Sequence, residues 1–257
     1  MKKFLAIVLA IAMIASAMVL TGCGEKKKDK LTMATNAEFP PYEYKEDGKT
    51  VIGIDAEIAQ AIADKLGMEL EIVDIKFDSI IAGVQTGKYD MGMAGLTVTE
   101  ERKKSVDFSD SYATGIQAII VKEDSKITSI DDILDKDAEY KVGVQLSTTG
   151  DIYITGDFED AGKSKDLITE FQTGNDAVAA LSAGKIDAVI IDNEPAKSYV
   201  AANKGLKVLD TKYVTEDYAI CFSKDNPELR DKVNDALKEL IADGTVKKII
   251  DKYITAD

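Results

Sequence analysis

Histidine and tryptophan are absent from the 257 residues, and cysteine occurs only twice. Without imidazole there is no Ser-His or Cys-His nucleophile pair and no histidine-ligated zinc. General acid–base work would fall to carboxylates, lysine or tyrosine. Cationic residues are also scarce: 32 Lys and Arg face 46 Asp and Glu, a formal charge of −14. That balance argues against a phosphate-backbone footprint, and so against a nucleic-acid partner. Only four prolines interrupt a chain that is 45% hydrophobic, which makes it foldable and not compositionally disordered. The length suits one large domain or two modest ones. What remains is a folded, acidic protein that does not run histidine chemistry.

The N-terminus reads as an address. Met1-Lys2-Lys3 is basic, and Phe4 to Leu20 is apolar except for Ser16. A basic start and a small-residue exit fit a signal peptide over 1–22 better than a membrane-spanning helix. The exit, Leu20-Thr21-Gly22-Cys23, resembles the bacterial lipoprotein signal. That resemblance implies acylation of the Cys23 thiol (diacylglyceryl, with palmitate) and cleavage before it. Two or more acyl chains anchor a protein stably where one would be marginal. Residues 23–30 then form a lipidated tether, able to reach about 25 Å when extended. Cys221, within the apolar run Tyr218 to Phe222, is most simply a small buried hydrophobe. Loss of the leader's two lysines takes the charge of the mature chain to −16.

Beyond the tether, hydrophobic periodicity alternates between strand and helix. Leu31 to Thr35 reads as a strand. Asp55 is expected to cap a helix whose face is Ile58, Ala59, Ile62, Ala63 and Leu66, stopped by Gly67. Met68, Leu70 and Ile72 alternate with Glu69 and Glu71 in a second strand. Lys141 to Val144 and Ala188 to Ile191 read as short strands, and Leu229 to Ile241 as an amphipathic helix followed by a break at Asp243-Gly244. Such alternation predicts the α/β class with parallel strands.

One segment occurs twice. Asp78 to Asp90 matches Asn175 to Asp187 at a constant offset of 97 residues, each copy with a capping Asp or Asn, an apolar helix, Gly-Lys, and Asp before a strand. Five residues past each Asp lie Gly95 and Asp192. Either this is the common cap-helix-Gly-strand pattern, or it marks two α/β lobes whose strands end at one functional edge. Open α/β sheets bind ligands beyond the carboxyl ends of their strands.

Several stretches in order complete the pattern: Thr35-Asn-Ala-Glu-Phe-Pro-Pro-Tyr-Glu-Tyr44, Gly53-Ile-Asp55, Gly87-Lys-Tyr-Asp90, Ala94-Gly-Leu-Thr-Val-Thr-Glu-Glu-Arg102, Val106-Asp-Phe-Ser-Asp-Ser-Tyr112 and Ile191-Asp192. With them the chain resembles the family 3 solute-binding proteins, amino-acid-binding lipoproteins of bacterial ABC importers. The resemblance implies a two-lobe α/β fold of the periplasmic-binding-protein type II, with the ligand in a cleft between lobes joined by two hinge strands. Lobe 1 would comprise 31–114 plus 219–257, and lobe 2 115–218, with hinges near Gly115 to Val121 and Asp217 to Phe222. It implies a binder and not an enzyme, without cofactor or metal. The partners would be an ABC permease with its ATPase, for a monomer anchored by lipid on the outer face of the cell membrane.

Site candidates follow from the same residues. Arg102 lies in the first turn of a helix that Thr99 would cap, where the helix dipole disfavours a cation; its planar fork suits an α-carboxylate. The family pattern adds Gly95 and Thr97 beside it. Thr149, in Ser147-Thr148-Thr149-Gly150, would offer backbone N–H from the opposite side. Asp192 ends a buried strand and suits the α-ammonium; the alternative is a helix cap. Phe39 and Phe77 match positions whose rings hold the ligand side chain, or they are core. Asn36, Glu38, Tyr42 and Gln145 are weaker candidates. Asn36 stands where members for cationic side chains often carry Asp, which favours a neutral polar amino acid slightly over a cationic one. Rival readings are a cyclohexadienyl dehydratase-like enzyme, with Glu38 or Glu194 as the acid, and the ligand-sensing subunit of a receptor.

Overall fold

The structure is a computed structural model that describes residues 29–210 and 213–254. Cys23, the leader 1–22 and positions 24–28 of the expected tether lie outside the described residues.

The first lobe is built on β1 (Lys30–Thr35), whose Leu31 and Met33 are fully buried. A small antiparallel sheet follows, β2 (Glu38–Phe39), β3 (Glu43–Lys45) and β4 (Val51–Ile52). Next come α1 (Ile54–Leu66), β5 (Glu69–Asp74), a 3-10 turn at Phe77–Ser79 running into α2 (Ile80–Gln85), β6 (Met91–Gly92) and α3 (Glu100–Ser105). β1 pairs in parallel with both β5 and β6, as the alternation predicts. Ile58, Ala59, Ile62 and Ala63 of α1 are all fully buried, so the 3.6-residue stripe is the core face.

β7 (Val106–Lys122) then crosses into the second lobe: α4 (Ile130–Leu134), β8 (Val142–Gln145), α5 (Thr149–Asp160), β9 (Ile168–Phe171), α6 (Gly174–Ser182), β10 (Ala188–Asp192), α7 (Asn193–Ala202) and β11 (Leu206–Val208). β12 (Thr215–Ser223) returns, and α8 (Pro227–Ala242) with α9 (Thr245–Tyr253) packs back on the first lobe. The strand order is β5-β1-β6-β12-β7-β10-β8-β9, with β11 also on β7. β1, β5 and β6 pair in parallel, as do β8, β9 and β10, but β7 runs antiparallel to β12, β10 and β11, and β12 antiparallel to β6. The expected hinge at 115–121 is the second half of a 17-residue strand; Val106 to Ile116 pairs with β12, and Gln117 to Val121 with β10. Cys221 is fully buried beside Ala34, Ile80 and Leu96, and burial pushes its thiol up to about 12.

The repeated segment is a real structural unit. Gly87 and Gly184 both end their helices with left-handed φ, 71° and 72°. Asp90 accepts from the N–H of Thr32 at 2.7 Å, and Asp187 from the N–H of Lys141 at 2.8 Å, so each clasps the neighbouring strand. The expected caps differ. Asp78 falls inside the 3-10 turn, and Thr173 rather than Asn175 caps α6 by accepting from Asp176 N–H.

Asp55 does not cap α1 either. Gly53 holds the cap position at φ 123°, and Asp55 lies within the first turn with its side chain fully buried. Gly53 is required there, because a Cβ would sit 2.3 Å from the Tyr42 carbonyl oxygen. Gly53→Ala is therefore expected to lose about 2–4 kcal/mol in urea unfolding, from strain plus overlap. Gly67→Ala, also left-handed at φ 68° but with nothing within 4 Å, should lose only about 1–2 kcal/mol.

Candidate functional site

The carboxyl ends of β1, β6, β8 and β10 face one cavity. Its lining includes seven sequence candidates, Phe39, Phe77, Gly95, Thr97, Arg102, Thr149 and Asp192, together with the weaker Asn36 and Gln145. Two weaker candidates are elsewhere. Glu38 is exposed, and its backbone is what bonds: the carbonyl accepts from Tyr199 OH at 2.5 Å and the N–H donates to the Asn36 carbonyl at 2.7 Å. Tyr42 stacks behind Phe39 and abuts Tyr218 edge-on. Glu43 also lines the cavity and was not anticipated.

Arg102 is placed by α3. Thr99 caps that helix and accepts from the Arg102 N–H at 3.1 Å, as its sequence position suggests. The side chain turns inward: Nη1 donates to the Thr97 carbonyl at 2.8 Å, Nη2 to the Ser147 carbonyl at 3.1 Å, and the guanidinium lies 5.5 Å from the Phe77 ring centre. Burial lowers its pKa, and the charge of Glu216 opposes that. A guanidinium has donors to spare beyond these two bonds, so it remains able to grip a carboxylate. Ser147 has φ 65°, a left-handed value for a residue with a Cβ, and its carbonyl is what meets Arg102. Strain of this kind collects at functional sites.

Asp192 occupies the cap position of α7 yet makes no cap bond. Its Oδ2 instead accepts from Gln117 Nε2 at 2.9 Å, and Oδ1 accepts from Tyr218 OH. The same Gln117 amide donates to Glu216 at 2.8 Å. Burial, reinforced by the Glu216 charge, pushes the Asp192 carboxyl up to about 7, and the Tyr218 and Gln117 bonds pull it back. Its ionised form is therefore less favoured here than in water. An ammonium against it would favour the ionised form, so this end of the cavity is chemically suited to a cation.

The lobes meet across the cavity. Gln145 Nε2 donates to Asn36 Oδ1 at 2.9 Å, the Thr97 and Thr149 hydroxyls lie 3.4 Å apart, and Arg102 reaches Ser147. Thr148, not Thr149, caps α5, accepting from Asp151 N–H. Asn36 is committed on both sides, since its Nδ2 donates to the Ile75 carbonyl at 3.0 Å.

The cavity thus sets one buried guanidinium, Arg102, and one buried carboxyl, Asp192, in the same lining, charges complementary to those of a zwitterion. The profile of the bacterial extracellular solute-binding proteins, family 3, matches residues 31–256. The chain belongs to this family. Among its relatives, the arginine-binding extracellular protein ArtP of Bacillus subtilis (strain 168) is 37% identical over the full length of both chains. An ancestral arginine-binding protein solved with arginine superposes with TM-score 0.81 at 39% identity, covering 89% of this chain and 99% of that one. An ancestral arginine-binding protein was also solved bound to glutamine, with TM-score 0.81 at 38% identity and the same coverage. As a family 3 member the protein captures an amino acid for an ABC transporter, on the two-lobe α/β fold that the sequence resemblance implied. No helix among the described residues is long and apolar enough to cross a membrane.

Arg102→Ala and Asp192→Ala should each weaken amino-acid binding by about 2–5 kcal/mol in titration calorimetry, because each strands a desolvated partner charge. Arg102→Lys should recover only part of the loss, since an ammonium lacks the planar fork. Binding of either variant within threefold of wild type would remove that residue from the site.

Proposed function

We propose that the protein captures an α-amino acid with a cationic side chain, arginine first, and delivers it to an ABC permease driven by its ATPase. The observation that carries the side-chain preference is a charge count inside the cavity. Arg102 takes the α-carboxylate and Asp192 the α-ammonium, which leaves Glu43 as a further carboxyl in the lining, one that a cationic side chain would hold ionised. Asn36, where an Asp would announce a cationic ligand, is used to bridge Ile75 and Gln145, so the anionic role falls to Glu43. The likeness to arginine-binding proteins supports the same preference. A neutral amide such as glutamine is the second reading, favoured by the burial that pushes Glu43 well above the usual carboxylate range.

Capture proceeds as a two-state clamp. The first lobe offers Arg102, Gly95, Thr97 and the rings of Phe39 and Phe77. Closure about β7 and β12, with lobes near 31–114 plus 219–257 and 115–218, adds Thr149, Gln145 and Asp192. The ligand favours the closed state because that state satisfies both of its charges. Acylation of Cys23 holds a monomer on the outer face of the membrane beside the permease. The protein acts as a binder and not as a dehydratase: Glu38 is exposed, and Glu194 is engaged with Lys197 at 2.9 Å, outside the main cavity.

In a thermal-shift screen of the twenty amino acids, arginine should raise Tm most, with lysine and glutamine behind it. A response to neutral amino acids with none to arginine would overturn the cationic reading. Cys23→Ser should move the protein from the membrane fraction to the soluble one, and prephenate and arogenate should pass through unchanged.

A further inference from the structure

Glu43 is only 1% exposed, yet neither of its carboxyl oxygens meets a hydrogen-bond donor among the described residues. Asp55, fully buried on α1, is in a related position. Its Oδ2 accepts from the Gly95 N–H and from Tyr112 OH, both at 2.9 Å, while its Oδ1 has no donor. Each of the two carboxyl groups acts on the other's titration, Asp55 raising Glu43 through its charge. Two carboxylates repel; they bond only when one of them carries a proton. Asp55 has a structural use, tying α1 to the Gly95 loop and to β7. Glu43 has none that its oxygens record, and it faces the cavity.

The groups acting on Glu43 come from several elements. Asp55 of α1, Asp192 of β10 and Asp74 of β5 are anionic and add to its burial; the ring hydroxyls of Tyr42, Tyr112 on β7 and Tyr199 on α7 feel its charge in turn. Glu38 of β2 is exposed, and β4 presents Val51 and Ile52, which do not titrate. None of these neighbours is a cation. Burial raises both carboxyls, Asp55 to about 6 and Glu43 well above its usual range, which favours a proton retained by the pair.

We propose that Glu43 and Asp55 form a proton-binding specificity subsite, in which a cationic ligand side chain displaces a shared proton that a neutral side chain leaves in place. This rests on the cationic reading above. The exchange balances: the Glu43 O–H breaks, its proton passes to solvent, and the ligand's guanidinium takes its place against Glu43. A neutral amide instead accepts from the intact Glu43 O–H. Protons and arginine compete, so arginine binds more weakly as pH falls through the titration of the pair, and more strongly as pH rises until the pair ionises unaided. Asp192 also exchanges a proton when it receives the α-ammonium, but every α-amino acid shares that contribution.

The test compares L-arginine with L-citrulline, its uncharged isostere, by titration calorimetry of the full chain at roughly pH 6 in buffers of different ionisation heat. Arginine should release about one proton more than citrulline. In Glu43→Gln that difference should vanish, and arginine affinity should fall at least about tenfold more than citrulline affinity. Equal proton counts for the two ligands on the wild-type protein would overturn the subsite, whether or not the variant folds. If arginine fails to bind while citrulline binds, the cationic reading falls and the subsite with it. Arginine binding without the extra proton defeats the subsite alone.

Discussion

The permanent charge of Arg102 is the fixed point of this molecule. It is buried at a lobe interface, held by the carbonyls of Thr97 and Ser147 and faced by the Phe77 ring. A buried guanidinium is tolerated only where its donors are met. The neighbouring structure follows from that demand: Thr99 starts α3 so that the side chain can turn inward, and Ser147 takes a left-handed φ so that its carbonyl arrives. Because Arg102 binds carbonyls of both lobes, closure and charge satisfaction are one event. Asp192 supplies the opposite constraint, an anion whose ionisation the protein alone supports poorly. A zwitterion resolves both.

Much of this was legible in the chain. Strand ends and helix caps around Thr97, Arg102 and Asp192 followed from alternation, glycine and threonine chemistry, and their grouping followed from the repeated segment with the family resemblance. What was not legible shares a cause. Glu43 escaped notice because Tyr42 and Glu43 are both buried, against the alternation of an ordinary strand, in a three-stranded flap wedged between α1 and the cavity. Asp55 looked like a cap because Asp before a helical stripe usually is one; Gly53 takes that place through a backbone conformation that composition does not announce. Gln117 offered a signal, a lone amide in the apolar run Gly115 to Val121, but its purpose appears only when β10 and β12 bring two carboxylates to it.

The absence of histidine also takes on meaning here. Imidazole is the usual group for titration near neutrality. In this cleft burial moves carboxyl groups into that range instead, Asp192 to about 7 and Asp55 to about 6. Carboxyls shifted this way are neutral when protonated, so acid removes anionic charge from the cavity without adding a competing cation.

β7 is shared by both lobes as one unbroken ribbon. Two bodies that share a strand cannot slide past each other; they can only bend and twist about it, so distance from the strand becomes a lever arm. Asp192 pairs directly with Gln117 on that ribbon and sits close to the pivot. Ser147 and Thr149, beyond the end of β8 one strand further out, sweep the longer arc. For any bending about this ribbon the anion would move least, and the Ser147 carbonyl and Thr149 hydroxyl farthest.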